Sequence, residues 1–438
     1  MKTKKLIAIA LTVVMALGIA GCAKSTKENT KENTKADTTN KKIVIWAWDG
    51  TFNVVAAKEA KAIYLKENPG VEVQIVEMAQ DDIVQKLNTN LSSNTTEGLP
   101  NIVLIEDYRV QNFLTSYPDS FTDMSSKIKA TDFMEYKLKS DSSNGKLYGV
   151  PFDSGVAALF YRTDLLKQAG YEKSDMENIT WEKFIEIGKA VKAKTGKAML
   201  TMDPNDLGIL RIMMQSAGQW YVKEDGTTVN LENNEALKEG IKVYKQLMES
   251  GIVKQISDWD QFVGAFQKGE VASVPTGCWI SSSITKATDQ SGKWAVAAIP
   301  KLGAVKSSVN ASNIGGASWY VLDKVGDSEL ASDFLAKTFG TNKDLMNTLA
   351  DKINLTSTLK ASSTTENYQK SVEFYGGQKI LQDLSKWTSE IPSVNYGLYT
   401  YTIEDILTGT VQSIVKDGAD ISTALKDAQK QAEAAAIN

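Results

Sequence analysis

The sequence predicts an α/β protein folded as two lobes with a ligand cleft, and three observations carry that prediction. Short apolar strands alternate with amphipathic helices in a βαβαβ order at the start of the folded part. Helical patterns outweigh strand patterns along the rest of the chain. The roughly 400 residues that follow an export leader also exceed the size at which one hydrophobic core stops growing.

The first strand is the apolar run 43–47, which leads into the turn signal Trp48-Asp49-Gly50. A helix follows with Val54, Ala57, Ala60, Ile63 and Tyr64 on one face, and Asn68-Pro69-Gly70 ends it. Val71 to Val76 alternates as a strand, 81–92 has helical periodicity, and Ile102 to Ile105 is apolar throughout, as a strand buried on both faces requires. This order implies a parallel sheet covered by helices. Downstream, Val156 to Tyr161 reads as a strand and 163–169 as a short helix. Thr180 stands as N-cap before a helix from Trp181 to Lys194. Further helices are expected at 206–217, 234–250, 259–268, 328–339, 343–350, 377–388, 401–415 and 420–436. Their periodicity assigns Trp181 and Trp259 to the core, and Trp294 opens a strand.

Ahead of this body, Lys2, Lys4 and Lys5 precede an apolar run from Leu6 to Ile19 and then Ala20-Gly21-Cys22. Charged start, short apolar stretch and small-residue cleavage site make an export leader over 1–21. The run is shorter than the ~20 residues that span a bilayer. Ile19-Ala20-Gly21-Cys22 resembles the bacterial lipobox, which implies that Cys22 becomes a lipid-bearing N-terminus. Residues 22–42 carry almost no apolar side chain and repeat Lys-Glu-Asn-Thr-Lys at 27–31 and 31–35. Such a segment cannot offset the entropy of ordering and is expected to act as a tether, spanning roughly 25 Å as a coil.

Several functions are excluded by composition. Removing residues 1–21, which hold three lysines and no acid, moves the formal charge from −4 to −7, so no basic face is expected for nucleic acid. The chain has no histidine and two cysteines, which rules out Ser-His-Asp and Cys-His catalysis and histidine-based metal sites. Cys278 is left without an internal disulfide partner. No Walker-type loop is present, and no cofactor is expected.

In open α/β sheets a ligand lies beyond the carboxyl ends of the strands. Trp48 and Asp49 follow the first strand, Gln80-Asp81 the second, Glu106-Asp107-Tyr108 the third, and Asp153 the segment 147–152. A carboxylate there is more often a helix cap than a ligand contact, and it is the recurrence that points to a site. Trp220, Trp279 and Tyr396 lie in stretches rich in glycine or small polar residues, where a large ring has few sequence neighbours to pack under. Carbohydrate suits this mixture: the C–H face of a pyranose covers an aromatic ring, and its hydroxyls need Asp, Asn and Gln.

The chain resembles the extracellular solute-binding proteins of the maltose-binding type, the sugar-binding subunits of ABC importers. The resemblance is carried by 43–53, 100–107, 148–171, 180–184, 265–272, 296–301, 315–322 and 391–397. It implies two lobes that close on a saccharide, with three crossings near Phe152 to Ser154, Pro300 to Leu302 and Thr356 to Lys360. Lobe one would be 43–153 plus 302–358, and lobe two 154–301 plus 359–438. Carried onto this chain, it implies hydroxyl contacts from Asp49 and Asn53, acidic contacts from Asp107 and Asp153, and stacking rings at Trp220, Trp279 and Tyr396. It further implies close backbone approach at Gly315 and Gly316, with Tyr375 as an additional candidate. The implied protein is a monomer on the outer face of the cell membrane that delivers an oligosaccharide to a permease. Two alternatives are weighed. A secreted glycosidase would use two of Asp49, Asp107 and Asp153. A polyamine carrier would also combine Asp with Trp.

Overall fold

The computed structural model describes residues 41–437. The leader, Cys22 and nearly all of the tether lie outside them.

The first sheet begins as expected. Strands β1 (Lys42–Ala47), β2 (Glu72–Glu77) and β3 (Ile102–Glu106) run parallel, with β1 between the other two. Helices α1 (Asn53–Glu67) and α2 (Gln80–Ser92) form the crossovers. The sheet is nevertheless mixed. β4 (Gly149–Asp153) forms its far edge, and between β3 and β4 lies a strand from much later in the chain, Ala317–Val321, antiparallel to both. That strand has no local pairing partner, so sequence alternation does not reveal where it belongs. Side chains alternate across the sheet. Ile43, Ile45, Leu104 and Trp319 face one core, and Trp46, Val103 and Tyr320 face the other.

The second sheet has three antiparallel strands. β5 (Ala157–Arg162) is central, flanked by β6 (Ser273–Gly277) and β7 (Trp294–Ala298). β5 is buried over its whole length: Leu159 and Tyr161 pack with Trp181 and Phe184 on one face, while Ala158 and Phe160 pack with Phe266 and Trp294 on the other. Thr180 Oγ1 accepts from the Lys183 amide at 3.3 Å, and the helix it caps ends at left-handed Gly196 (φ 72°). The architecture is a two-lobed α/β fold.

Three backbone passages meet between the sheets. Ser154 donates to Thr356 O at 2.8 Å and Thr358 to Phe152 O at 3.1 Å. Ile314 donates to Gly155 O at 2.8 Å and Ala157 to Ser312 O at 2.8 Å. The approach at Gly155 is close enough that a Cβ there would lie 2.5 Å from Ile314 O. The stretch from Pro300, expected as a crossing, packs against the core behind the second sheet as far as Ser312. Lys301 bridges Thr180, Leu302 is buried in the core around Trp181, Ser308 bonds Ser216 at 2.8 Å, and Ser312 donates to Ile212 O at 2.7 Å.

Candidate functional site

Between the two sheets opens a cleft of about 870 Å³. One wall is made by the carboxyl ends of β1 to β3, which bring Trp48, Asp49, Asn53, Gln80 and Glu106 to it. Asp49 turns the chain after β1 at φ 60°, and its Oδ1 accepts from the amides of Thr51 and Phe52 and from the Thr51 hydroxyl. That local cap leaves the second carboxylate oxygen without a protein partner among the described residues. The amides of Asn53, buried at the first turn of α1, and of Gln80, opening α2, also have no protein partner there. These are the donors and acceptors a polar ligand can use.

The opposite wall is aromatic and acidic. Helix Trp259–Gln267 is capped by Asp258, whose Oδ1 accepts from the Gln261 amide at 2.8 Å. The cap places Trp259 at the first helical position, 53 % exposed rather than in the core as its periodicity suggested. Its ring lies 5.9 Å from that of Trp279 at 35° and 5.3 Å from Phe262. Trp279 donates Nε1–H to Ile314 O at 3.1 Å and folds back over Gly277, where a Cβ would sit 2.1 Å from the same nitrogen. Asp203, Asp206, Arg211 and Lys286 complete this side, and Gly315, Gly316 and Ala317 form part of the lining.

Of the residues predicted from sequence, Trp48, Asp49, Asn53, Gln80, Asp153, Trp279, Gly315 and Gly316 line the cleft. Asp107, Trp220, Tyr375 and Tyr396 do not. Asp107 is fully buried, with Lys137 Nζ 2.5 Å from its Oδ1, and burial pushes its carboxyl well above the ordinary range despite that ammonium. Asp153 is likewise raised by burial, and its Oδ1 accepts from the Ala317 amide at 2.6 Å. Trp220 stacks on Tyr108 at 5.4 Å and donates to Thr400 Oγ1 at 3.0 Å. Tyr396 meets Tyr108 edge-on at 4.7 Å and donates to Gln215 Oε1 at 3.1 Å. Tyr375 packs on Phe160, with its hydroxyl 2.8 Å from that of Ser281. Each ring stands in a loop by sequence, yet distant segments supply its packing.

Arg211, Trp259 and Lys286 were not anticipated, and Tyr108 was read only as part of the run that follows the third strand. Tyr108 is buried among Trp220, Tyr396 and the Arg211 guanidinium, accepts from the Gly315 amide at 3.2 Å, and still touches the cleft. Arg211 is engaged by Glu404 at 3.1 Å and Asp206 at 3.3 Å. Of the three that were missed, only Trp259 carried a readable signal, the Asp-Trp-Asp start of a capped helix.

Residues 59–376 match the family described as bacterial extracellular solute-binding protein. A lactose-binding protein of Rhizobium radiobacter is 42 % identical over 391 residues, 89 % of this chain and 92 % of that protein. An arabinooligosaccharide-binding protein of Bacillus subtilis (strain 168) is 26 % identical over 365 residues, 80 % of each chain. The solved structure of the sugar-binding protein MalE from Xanthomonas citri superposes with a TM-score of 0.73 at 18 % identity, covering 91 % of this chain and 98 % of that one.

Proposed function

The chain belongs to the bacterial extracellular solute-binding protein family, and from that premise we propose that it captures a disaccharide or short oligosaccharide outside the cell for an ABC importer. It is a binding protein and not an enzyme. The observation that carries the ligand class is the pairing, across one cleft, of the Trp259–Trp279 shelf with the unpartnered amides of Asn53 and Gln80. A ring face covers the C–H surface of a sugar while the amides satisfy its hydroxyl rim. A hydroxyl left unpaired on closure would cost about 1–3 kcal/mol, which is the source of selectivity. The lactose-binding relative makes lactose the first ligand to test.

Lobe one is 43–153 with 317–358, and lobe two is 154–312 with 359–438, with the segment 313–316 joining them. Closure about the three passages buries the sugar and creates the form that the permease engages. Cys22 carries the lipid that holds the protein at the outer face of the membrane, and residues 22–42 are the tether. The protein works as a monomer.

Glycosidase chemistry is disfavoured by the state of the carboxylates. Asp107 is spent on Lys137, Asp153 on the Ala317 amide, and one oxygen of Asp49 on its own turn. The test is calorimetry against lactose, galactobiose, arabino- and malto-oligosaccharides and spermidine. Saturable binding of at least one saccharide is expected; binding of spermidine alone, or of none, would overturn the proposal.

A further inference from the structure

The cleft is unevenly charged. Its lining holds seven carboxylates against two cations, Arg211 and Lys286. The charge of Arg211 is already offset, since its two terminal nitrogens pair with Glu404 at 3.1 Å and Asp206 at 3.3 Å. Glu106 is offset by Arg109 at 3.5 Å, and Asp153 lies beside the buried Lys137. Four lining carboxylates, those of Asp49, Asp203, Asp258 and Asp260, have no cation within ion-pair distance among the described residues. They come from both walls. Lys286 is the one lining cation without a hydrogen-bond or ion-pair partner among the described residues.

Resting on the function proposed above, we infer that the cleft selects saccharides by charge: it admits neutral ones and turns away those bearing a carboxylate, sulfate or phosphate. A neutral sugar brings hydroxyl donors, which carboxylate oxygens accept strongly. An anionic sugar must leave water for a narrowing space in which unpaired negative charges outnumber the single free cation. Closure removes the screening that would soften this repulsion in an open groove. The discrimination is therefore built from repulsion as well as attraction, and it acts on sugars of the same shape.

The experiment compares three forms of whichever neutral saccharide the panel identifies: the parent, its C6 uronate, and the C6 carboxamide as an uncharged control of the same size. Calorimetry on the full chain is expected to show the uronate at least about 30-fold weaker than the carboxamide at low salt. The gap should narrow several-fold in about 0.5 M salt, where charges are screened within a few ångströms. A double Asp203→Asn, Asp260→Asn variant should narrow it as well, since neither carboxylate is in an ion pair. Equal binding of uronate and carboxamide would overturn the charge proposal alone. So would tight uronate binding that is lost in Lys286→Gln, which would make Lys286 an anion anchor. Failure of every neutral saccharide in the panel would overturn the function proposal, and this one with it.

Discussion

Trp259 and Trp279 stand side by side but are held differently, and this separates their roles in stability and in binding. Trp279 is tied to Ile314 O and wedged over Gly277, whereas Trp259 is half exposed and rests on its neighbours. Trp259→Ala is therefore expected to leave the melting temperature within about 1 °C while costing about 1–2 kcal/mol of binding, or roughly 5- to 30-fold in Kd. Calorimetry beside a thermal melt checks both halves. Cys278 gives a second expectation. Burial pushes its thiol up to about 12, and Sγ donates to Ser154 O at 3.0 Å. In a Cys22→Ala background the native protein should resist maleimide at pH 8 and react once denatured, because only the thiolate is nucleophilic. Residue identity alone did not reach this level of detail. Trp220 and Tyr396 looked free because their sequence neighbours are small. The rings that enclose them come from Tyr108, about a hundred or more positions upstream, and from the segment at 396–401.

At the scale of elements, the short helix Glu135–Asp141 does what no sequence pattern suggested. It carries Lys137 and Asp141 to the strand Ala317–Val321, where Lys137 Nζ bonds Asp107 and Ala317 O, and Asp141 accepts from Ser318 and Tyr320. Lys137→Met should destabilise the fold by about 3–5 kcal/mol at pH 7.5, since it leaves a buried carboxylate unpaired. The deficit has a defined pH dependence. The Asp107 and Asp153 carboxyls are raised by burial, and removing the ammonium raises them further, so the folded variant binds more protons than the unfolded chain. Its stability therefore falls as pH rises through the acid-to-neutral range, and denaturant melts should show a smaller deficit at pH 4.5 than at pH 7.5. An unchanged deficit would mean that Lys137 acts through packing. Local pattern exposed the βαβαβ start, the Thr180 cap and the long helices, since each is specified by residues within one or two turns. The strand at 317–321 and the pairing of the segment before it escaped it because their hydrogen bonds reach back to 102–106 and 149–157.

For the whole molecule, the segment at 152–157 is hydrogen-bonded to both 312–314 and 356–358, so a ligand held by both walls favours whichever lobe arrangement lets both reach it. A ligand that binds only the folded protein, at about 100 times its Kd, adds about 2.7 kcal/mol of stability. Spread over the unfolding entropy of roughly 400 residues, that is a rise of about 3 °C in Tm. A fall in radius of gyration by small-angle scattering should accompany it if closure is the response. Gly155→Ala separates the two effects. A Cβ 2.5 Å from Ile314 O forces the paired passages apart, and with them the relative setting of the walls, while Asn53, Gln80, Trp259 and Trp279 keep their local supports. The variant is expected to bind more weakly and to lose the ligand-induced compaction. Full affinity with full compaction would show that the lobes do not depend on this contact to close.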